Sequence, residues 1–171
     1  ENEEIYTLER YLELKSEGFQ FEGQSYLFWE FMRVLTDIRK YNPDVKFLLE
    51  NVEMGNKWER VLSEAIGVFG VHINSALVSA QNRKRIYWAN IRVKEVGLFG
   101  ELHSDIPQPK DEGILLKDIL EEEVDEKYYL SENMLKNMIT WDDSGNGIIG
   151  HSGSGGQKGS IYNGENKMGS L

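Results

Sequence analysis

The feature that most constrains this chain is the short apolar run VKFLL, residues 45–49, which lies between two helical stretches. Asn42-Pro43 precedes it and Glu50-Asn51 follows it. A run this short, bounded by turn chemistry, predicts a strand covered on both faces, as in a parallel sheet between helices. Upstream, Phe28, Phe31, Leu35 and Ile38 recur at helical spacing, so a helix with one core-facing stripe is expected there, stopped at Asn42-Pro43. Ile5, Leu8, Tyr11, Leu12 and Leu14 mark a shorter amphipathic helix over residues 4–16. Downstream, Asn56 followed by Glu59 has the spacing of a capping box and predicts a helix from Lys57 to about Gly67. GVHINSALVSA and RIYWANIRV, separated by QNRK, read as two consecutive strands. The order helix, strand, helix, strand, strand describes a partial open α/β layer structure. Ligands in such sheets bind beyond the carboxyl ends of the strands, where Glu50 and Asn51 are expected to fall. Two readings fit that position: a solvated strand end, or a site.

Beyond Val96 the texture changes. GELHSDIPQPKDEG holds two of the three prolines and reads as a boundary. The stretch from Ile114 to Trp141 predicts one or two short helices on acidic ground. Residues 142–171 are rich in Gly and Ser and read as loops with a strand at GSIYN. The expected division is therefore residues 1–97 and residues 98–171.

Composition excludes several classes. No run of 18 apolar residues occurs, so no membrane span is expected. The formal charge of −10 argues against a protein that coats DNA nonspecifically and confines nucleic-acid contact to local basic patches. The chain has no cysteine, which rules out a disulfide, a thiolate metal site or a Cys nucleophile within it and fits an intracellular protein. The charged N-terminal run, without an initiator Met or the pattern of a signal peptide, leads to the expectation of a piece of a longer protein.

The densest basic cluster is QNRKR, residues 81–85. On an extended segment Gln81, Arg83 and Arg85 share one face, which points two guanidinium forks and an amide at a common phosphate or carboxylate. An exposed hairpin turn with solubilising charges fits the same residues. GSGGQKG, residues 153–159, has the glycines of a phosphate loop without its flanking strand and helix. His72, His103 and His151 lack the spacing of metal ligands, and no metal site is proposed. EEEVDE, residues 121–126, reads as a solvated face.

Taken in order, GQSYLFWEFMRVL, FLLENV, ALVSAQNRKRIYWANI and LLKDILEEEVDEKYYLS resemble DNA (cytosine-5) methyltransferases of the bacterial and phage type. Glu50-Asn51-Val52 matches the Glu-Asn-Val motif of that family, and Gln81, Arg83 and Arg85 match its Gln-x-Arg-x-Arg motif at the expected distance. GSGGQKGSIYN is similar to the glycine-rich part of its target-recognition region. The resemblance implies a partial Rossmann-like methyltransferase sheet (residues 1–97) with an appended, incomplete target-recognition region (residues 98–171). It implies duplex DNA as partner and S-adenosylmethionine as methyl donor, with weak or no binding of the donor by this chain alone. By the same resemblance Glu50 holds N3 and the exocyclic amine of a flipped cytosine, and Asn51 fixes the turn that aims Glu50. Arg83 and Arg85 hold the base carbonyl and a neighbouring phosphate, Gln81 braces the strand that carries them, and Leu27 lies near the cofactor adenine.

The chain departs from the family in lacking a glycine-rich cofactor motif, a Pro-Cys loop and the closing C-terminal motif. The resemblance therefore implies a fragment that transfers no methyl group by itself, with self-association through apolar surface left bare. A stand-alone, non-catalytic DNA- or partner-binding protein is the alternative. An unrelated acidic α/β interaction domain is a third. Restriction-modification, phage self-protection and regulation stay open as roles of the parent.

Overall fold

The structure is a computed structural model that describes residues 3–136, 139–140, 148–152 and 159–168. Its contacts divide the chain into two compact units. One holds the residues up to Ile73 together with Arg85–Pro107, and the other holds Asn74–Lys84 and the residues from Gln108 onward. Within the second unit the 74–84 segment packs with the later residues.

In the first unit, α1 (Leu8–Ser16) starts at Thr7, whose Oγ1 accepts the Arg10 N–H at 3.2 Å and satisfies one orphan donor of the first turn. It buries Tyr11 and Leu14 against α2 (Leu27–Arg39). The buried stripe of α2 is Phe28, Trp29, Met32 and Leu35, while Ile38 is exposed, so the core-facing side is turned slightly from the expected one. Glu30 on α2 ties the two helices together. It accepts hydrogen bonds from the Tyr11 hydroxyl, from Lys15 and, at 2.9 Å, from Arg33 Nε.

These donors, Lys15 foremost, then Tyr11 and Arg33, hold the Glu30 carboxyl down at about 2 against an ordinary 4.5. Burial, aided by the same carboxylate, pushes the Tyr11 hydroxyl up to about 12. Because the folded-state value of Glu30 is depressed, its contribution is complete above pH 4.5 and disappears as pH falls toward 2. Thermal unfolding of wild type and Glu30→Gln should differ by about 1–3 kcal/mol at neutral pH and converge across that acid window.

The strand expected at residues 45–49 is displaced. β1 spans Leu48–Val52, so Glu50 sits at mid-strand instead of at its end. Its residues alternate between exposed and half-buried, as on a sheet with one face toward the core, and it pairs antiparallel with β3 (Lys84–Ala89). The sheet order is β1-β3-β2, with β2 at Val71–Asn74. Thus the two strands read from GVHINSALVSA and RIYWANIRV are neighbours. Between β1 and β2, α3 (Asn56–Ile66) is capped by Gly55, not by Asn56, and closes on Gly67 at φ 84°, the left-handed value that glycine adopts freely.

Packing on the inner face is tight. Ile86 and Trp88 are fully buried, and Trp88 Nε1 donates to Ser63 Oγ on α3 at 2.9 Å. A Cβ on Gly70 would lie 2.6 Å from Ile86 and 3.0 Å from Trp88, which is why no side chain is accommodated there. The 101–104 segment, expected to be part of a boundary, is instead β5 (Glu101–Ser104). It forms a hairpin with β4 (Val93–Val96), and Ser104 Oγ accepts the Ala89 N–H at 2.9 Å.

The second unit holds α4 (Leu116–Ile119), a short 3₁₀ turn at Glu126–Tyr128 and α5 (Glu132–Lys136). It also holds a three-stranded sheet of β6 (Ile139–Thr140), β7 (Ile148–Ser152) and β8 (Gly159–Tyr162). β8 occupies the strand expected at GSIYN, and β7 is an addition to it. Residues 153–158 of the glycine-rich stretch lie outside the described residues.

Candidate functional site

β1 places Glu50, Asn51 and Val52 in one strand whose alternate residues face opposite ways. The register sets Glu50 opposite Tyr87 and Val52 opposite Arg85. Glu50 and Arg85 are therefore diagonal neighbours on one face of the sheet. Arg85 Nε lies 2.8 Å from Glu50 Oε1. The arginine side chain is only 15% exposed and the carboxylate 42%, so a largely buried guanidinium presents a carboxylate to an open face. Asn51 Oδ1 accepts the Val52 N–H at 2.8 Å, which folds the amide side chain back onto the strand exit.

A cleft of about 800 Å³ opens beside this strand. Leu27, Phe28 and Trp29 line it from α2, Glu50 and Asn51 from β1, and Trp58 from α3. Leu27, Glu50 and Asn51, named separately in the sequence, thus share one cavity. Its walls are mainly apolar and aromatic, with polar groups from Glu50 and Asn51 on β1 and from Glu3, Glu4, Gln24 and Ser25. Pockets of this kind, apolar with a few polar groups, are where small ligands are held and oriented. Met54 and Trp58, both lining the cleft, were not anticipated from sequence. Their only signal was proximity to Glu-Asn-Val.

Gln81 and Arg83 belong to the second unit, and Arg85 to the first. β3 begins only at Lys84, so Gln81 and Arg83 lie ahead of the strand that carries Arg85. Gln81 instead bridges Met168, and the Arg83 N–H donates to Asn74 Oδ1 at 3.0 Å.

His72 acquires partners that its isolated position in the sequence does not suggest. Its ring nitrogens lie 3.2 Å from Glu53 and 2.9 Å from Glu59. Burial lowers its proton affinity, but the hydrogen bonds to Glu59 and Glu53 outweigh this and leave it above the ordinary value. His103 stacks on Phe69 at 4.9 Å. Among the described residues no group of three metal-ligating side chains converges, and no helix is long and apolar enough to cross a membrane.

The sequence pattern of C-5 cytosine-specific DNA methylases matches residues 15–168. The chain belongs to that family. No curated protein matches it. The methylase match extends from α1 through β8, so it covers both units as well as the Glu-Asn-Val and Gln-x-Arg-x-Arg segments. Membership makes this a DNA cytosine-5 methyltransferase type of chain, with duplex DNA as the class of substrate. Glu50, Asn51 and Val52 lie within the matched residues and on the wall of the aromatic cleft.

Proposed function

We propose that this chain is the part of a DNA (cytosine-5) methyltransferase that reads a cytosine flipped out of duplex DNA, with Glu50 and Arg85 as its base-holding pair. The observation that carries the reading is the 2.8 Å Arg85–Glu50 pair set at an aromatic-walled cleft. A flipped base is read along its Watson–Crick edge. Glu50 accepts a hydrogen bond from the exocyclic amine and stabilises the proton that N3 gains as a nucleophile adds to C6. Arg85 holds the carboxylate in place and offers its remaining donors to the base carbonyl. Asn51 keeps the strand exit rigid under Glu50. Arg83 binds a DNA phosphate, and Gln81 anchors the segment that carries it.

S-adenosylmethionine supplies the methyl group in this reading. The aromatic and apolar walls at Leu27, Phe28 and Trp58 suit its adenine ring. Residues 1–171 contain no cysteine, so the thiolate that attacks C6 comes from outside them, and the chain alone transfers no methyl groups. Residues 1–97 act as a catalytic, Rossmann-like half and 98–171 as a target-recognition region, within an intracellular protein that self-associates when expressed as this chain. The absence of cysteine also supports a second reading, a non-catalytic DNA-binding member of the family.

The test is titration of ¹⁵N-labelled protein with deoxycytidine monophosphate and, in parallel, with thymidine monophosphate. Amide shifts at Glu50, Asn51 and Arg85 with the cytosine nucleotide alone are expected, and Glu50→Gln should erase the preference. Equal response to both nucleotides sinks the assignment. Incorporation of labelled methyl into DNA by the purified chain sinks the inactive-fragment reading.

A further inference from the structure

The chain leading to Arg83 is bound by two side chains, Asn74 and Lys167. Asn74 Oδ1 accepts the N–H of Ala76 at 3.1 Å and that of Arg83 at 3.0 Å, while its Nδ2 donates to Asn82 Oδ1 at 2.7 Å. From the far end of the described chain, Lys167 Nζ donates to the carbonyl of Ala76 and, at 3.3 Å, to that of Ser79. Its side chain is only 21% exposed, and it also reaches the Asp111 carboxylate at 3.5 Å. The next residue continues the strap: the Met168 N–H donates to the Ala80 carbonyl at 2.8 Å, and its own carbonyl accepts the Asn82 N–H at 2.7 Å.

Removing an ammonium from water is costly unless its donors are used, and here they go to main-chain carbonyls of the loop that leads into Gln81. Ser75 adds two further bonds to the segment. Ser75 Oγ donates to the Gln81 carbonyl at 2.8 Å, and the Ser75 N–H donates to the Arg83 carbonyl at 3.1 Å. The backbone under the motif is thus held from both sides before any ligand arrives.

We propose that Asn74 and Lys167 are positioning residues for the Gln81–Arg83 segment. They fix its main chain, so that Arg83 meets DNA with little backbone entropy left to lose. The inference rests on the assignment of Arg83 to a DNA phosphate made above. It also makes the 166–168 stretch, at the far end of the family match, a working part of the Gln-x-Arg motif.

The test measures fluorescence anisotropy of a fluorescein-labelled, mixed-sequence DNA duplex at low salt, with urea unfolding of each variant alongside. Arg83→Ala should weaken binding about tenfold. Lys167→Met and Asn74→Leu should each weaken it about five- to tenfold. Lys167→Arg and Asn74→Asp should recover most of the loss, since arginine still donates to the carbonyls and aspartate still accepts the Arg83 N–H. Wild-type binding by both Lys167→Met and Asn74→Leu, with Arg83→Ala weakened, overturns the positioning role alone. Arg83→Ala that binds like wild type overturns the DNA assignment and this proposal with it. If Lys167→Met does not fold, the comparison of Asn74→Leu with Asn74→Asp decides.

Discussion

Trp88→Ala should remove about 3–5 kcal/mol of stability, the range for deleting a large aromatic side chain from a core. The indole is fully buried, in one cluster with Phe28, Phe47, Leu62 and Ile66. Two effects add. The cavity left behind is bounded by a backbone that has already closed around the ring, as the short distances at Gly70 demonstrate. The Ser63 hydroxyl, itself fully buried, also loses its indole donor at 2.9 Å. Trp88→Phe separates the two, because it keeps most of the volume and removes only the hydrogen bond, for about 1–2 kcal/mol. Urea unfolding of the three proteins measures both. Domains of this size are stable by about 5–15 kcal/mol, so the alanine variant forfeits a large fraction of the total. A loss under about 1 kcal/mol for Trp88→Ala would contradict the packing described here.

Arg85→Ala is expected to do the reverse, with a small effect on stability and a large one on binding. The pair spans a diagonal of the sheet, and Glu50 is 42% exposed, so solvent screens much of the attraction. The stability cost should be about 1 kcal/mol or less. Binding of deoxycytidine monophosphate should fall about ten- to hundredfold, the equivalent of about 1.5–3 kcal/mol for hydrogen bonds that involve a charged group. Arg85→Lys should not restore it, since an ammonium cannot hold the carboxylate and the base carbonyl with the same planar fork. A double-mutant cycle with Glu50→Gln should be strongly non-additive in binding and nearly additive in urea unfolding. Loss of stability in proportion to loss of binding would make Arg85 a structural residue and remove it from the site.

Taken together, the two substitutions separate the two faces of one strand. Ile86 and Trp88 point inward and carry stability, whereas Arg85 lies on the opposite face, where the register brings it to Glu50. That division is a consequence of the two-residue period of β structure.

Much of this was legible in the sequence because it depends on near neighbours. The apolar spacing in α2, the end of α3 at Gly67, the paired β-rich runs and the tripeptide Glu50-Asn51-Val52 are local patterns, written by side-chain period and backbone permission within a few residues. Other features depended on partners that local pattern does not name. The run at 45–49 suggested a strand buried on both faces, yet the pairing partner is the antiparallel β3, so the strand slides to Leu48–Val52 and exposes alternate residues. The alternation of Gln81, Arg83 and Arg85 implied one shared face, but β3 begins at Lys84 and the chain before it is bound to Asn74 and Met168 instead. His72 looked solitary until the fold brought Glu53 and Glu59 to its two ring nitrogens. The sequence by itself determined where α1, α2, α3 and the β-rich runs fall, and which residue types stand ready for chemistry. The tertiary structure alone decided which of those residues meet, because strand register and loop closure are set by packing between segments far apart in the chain.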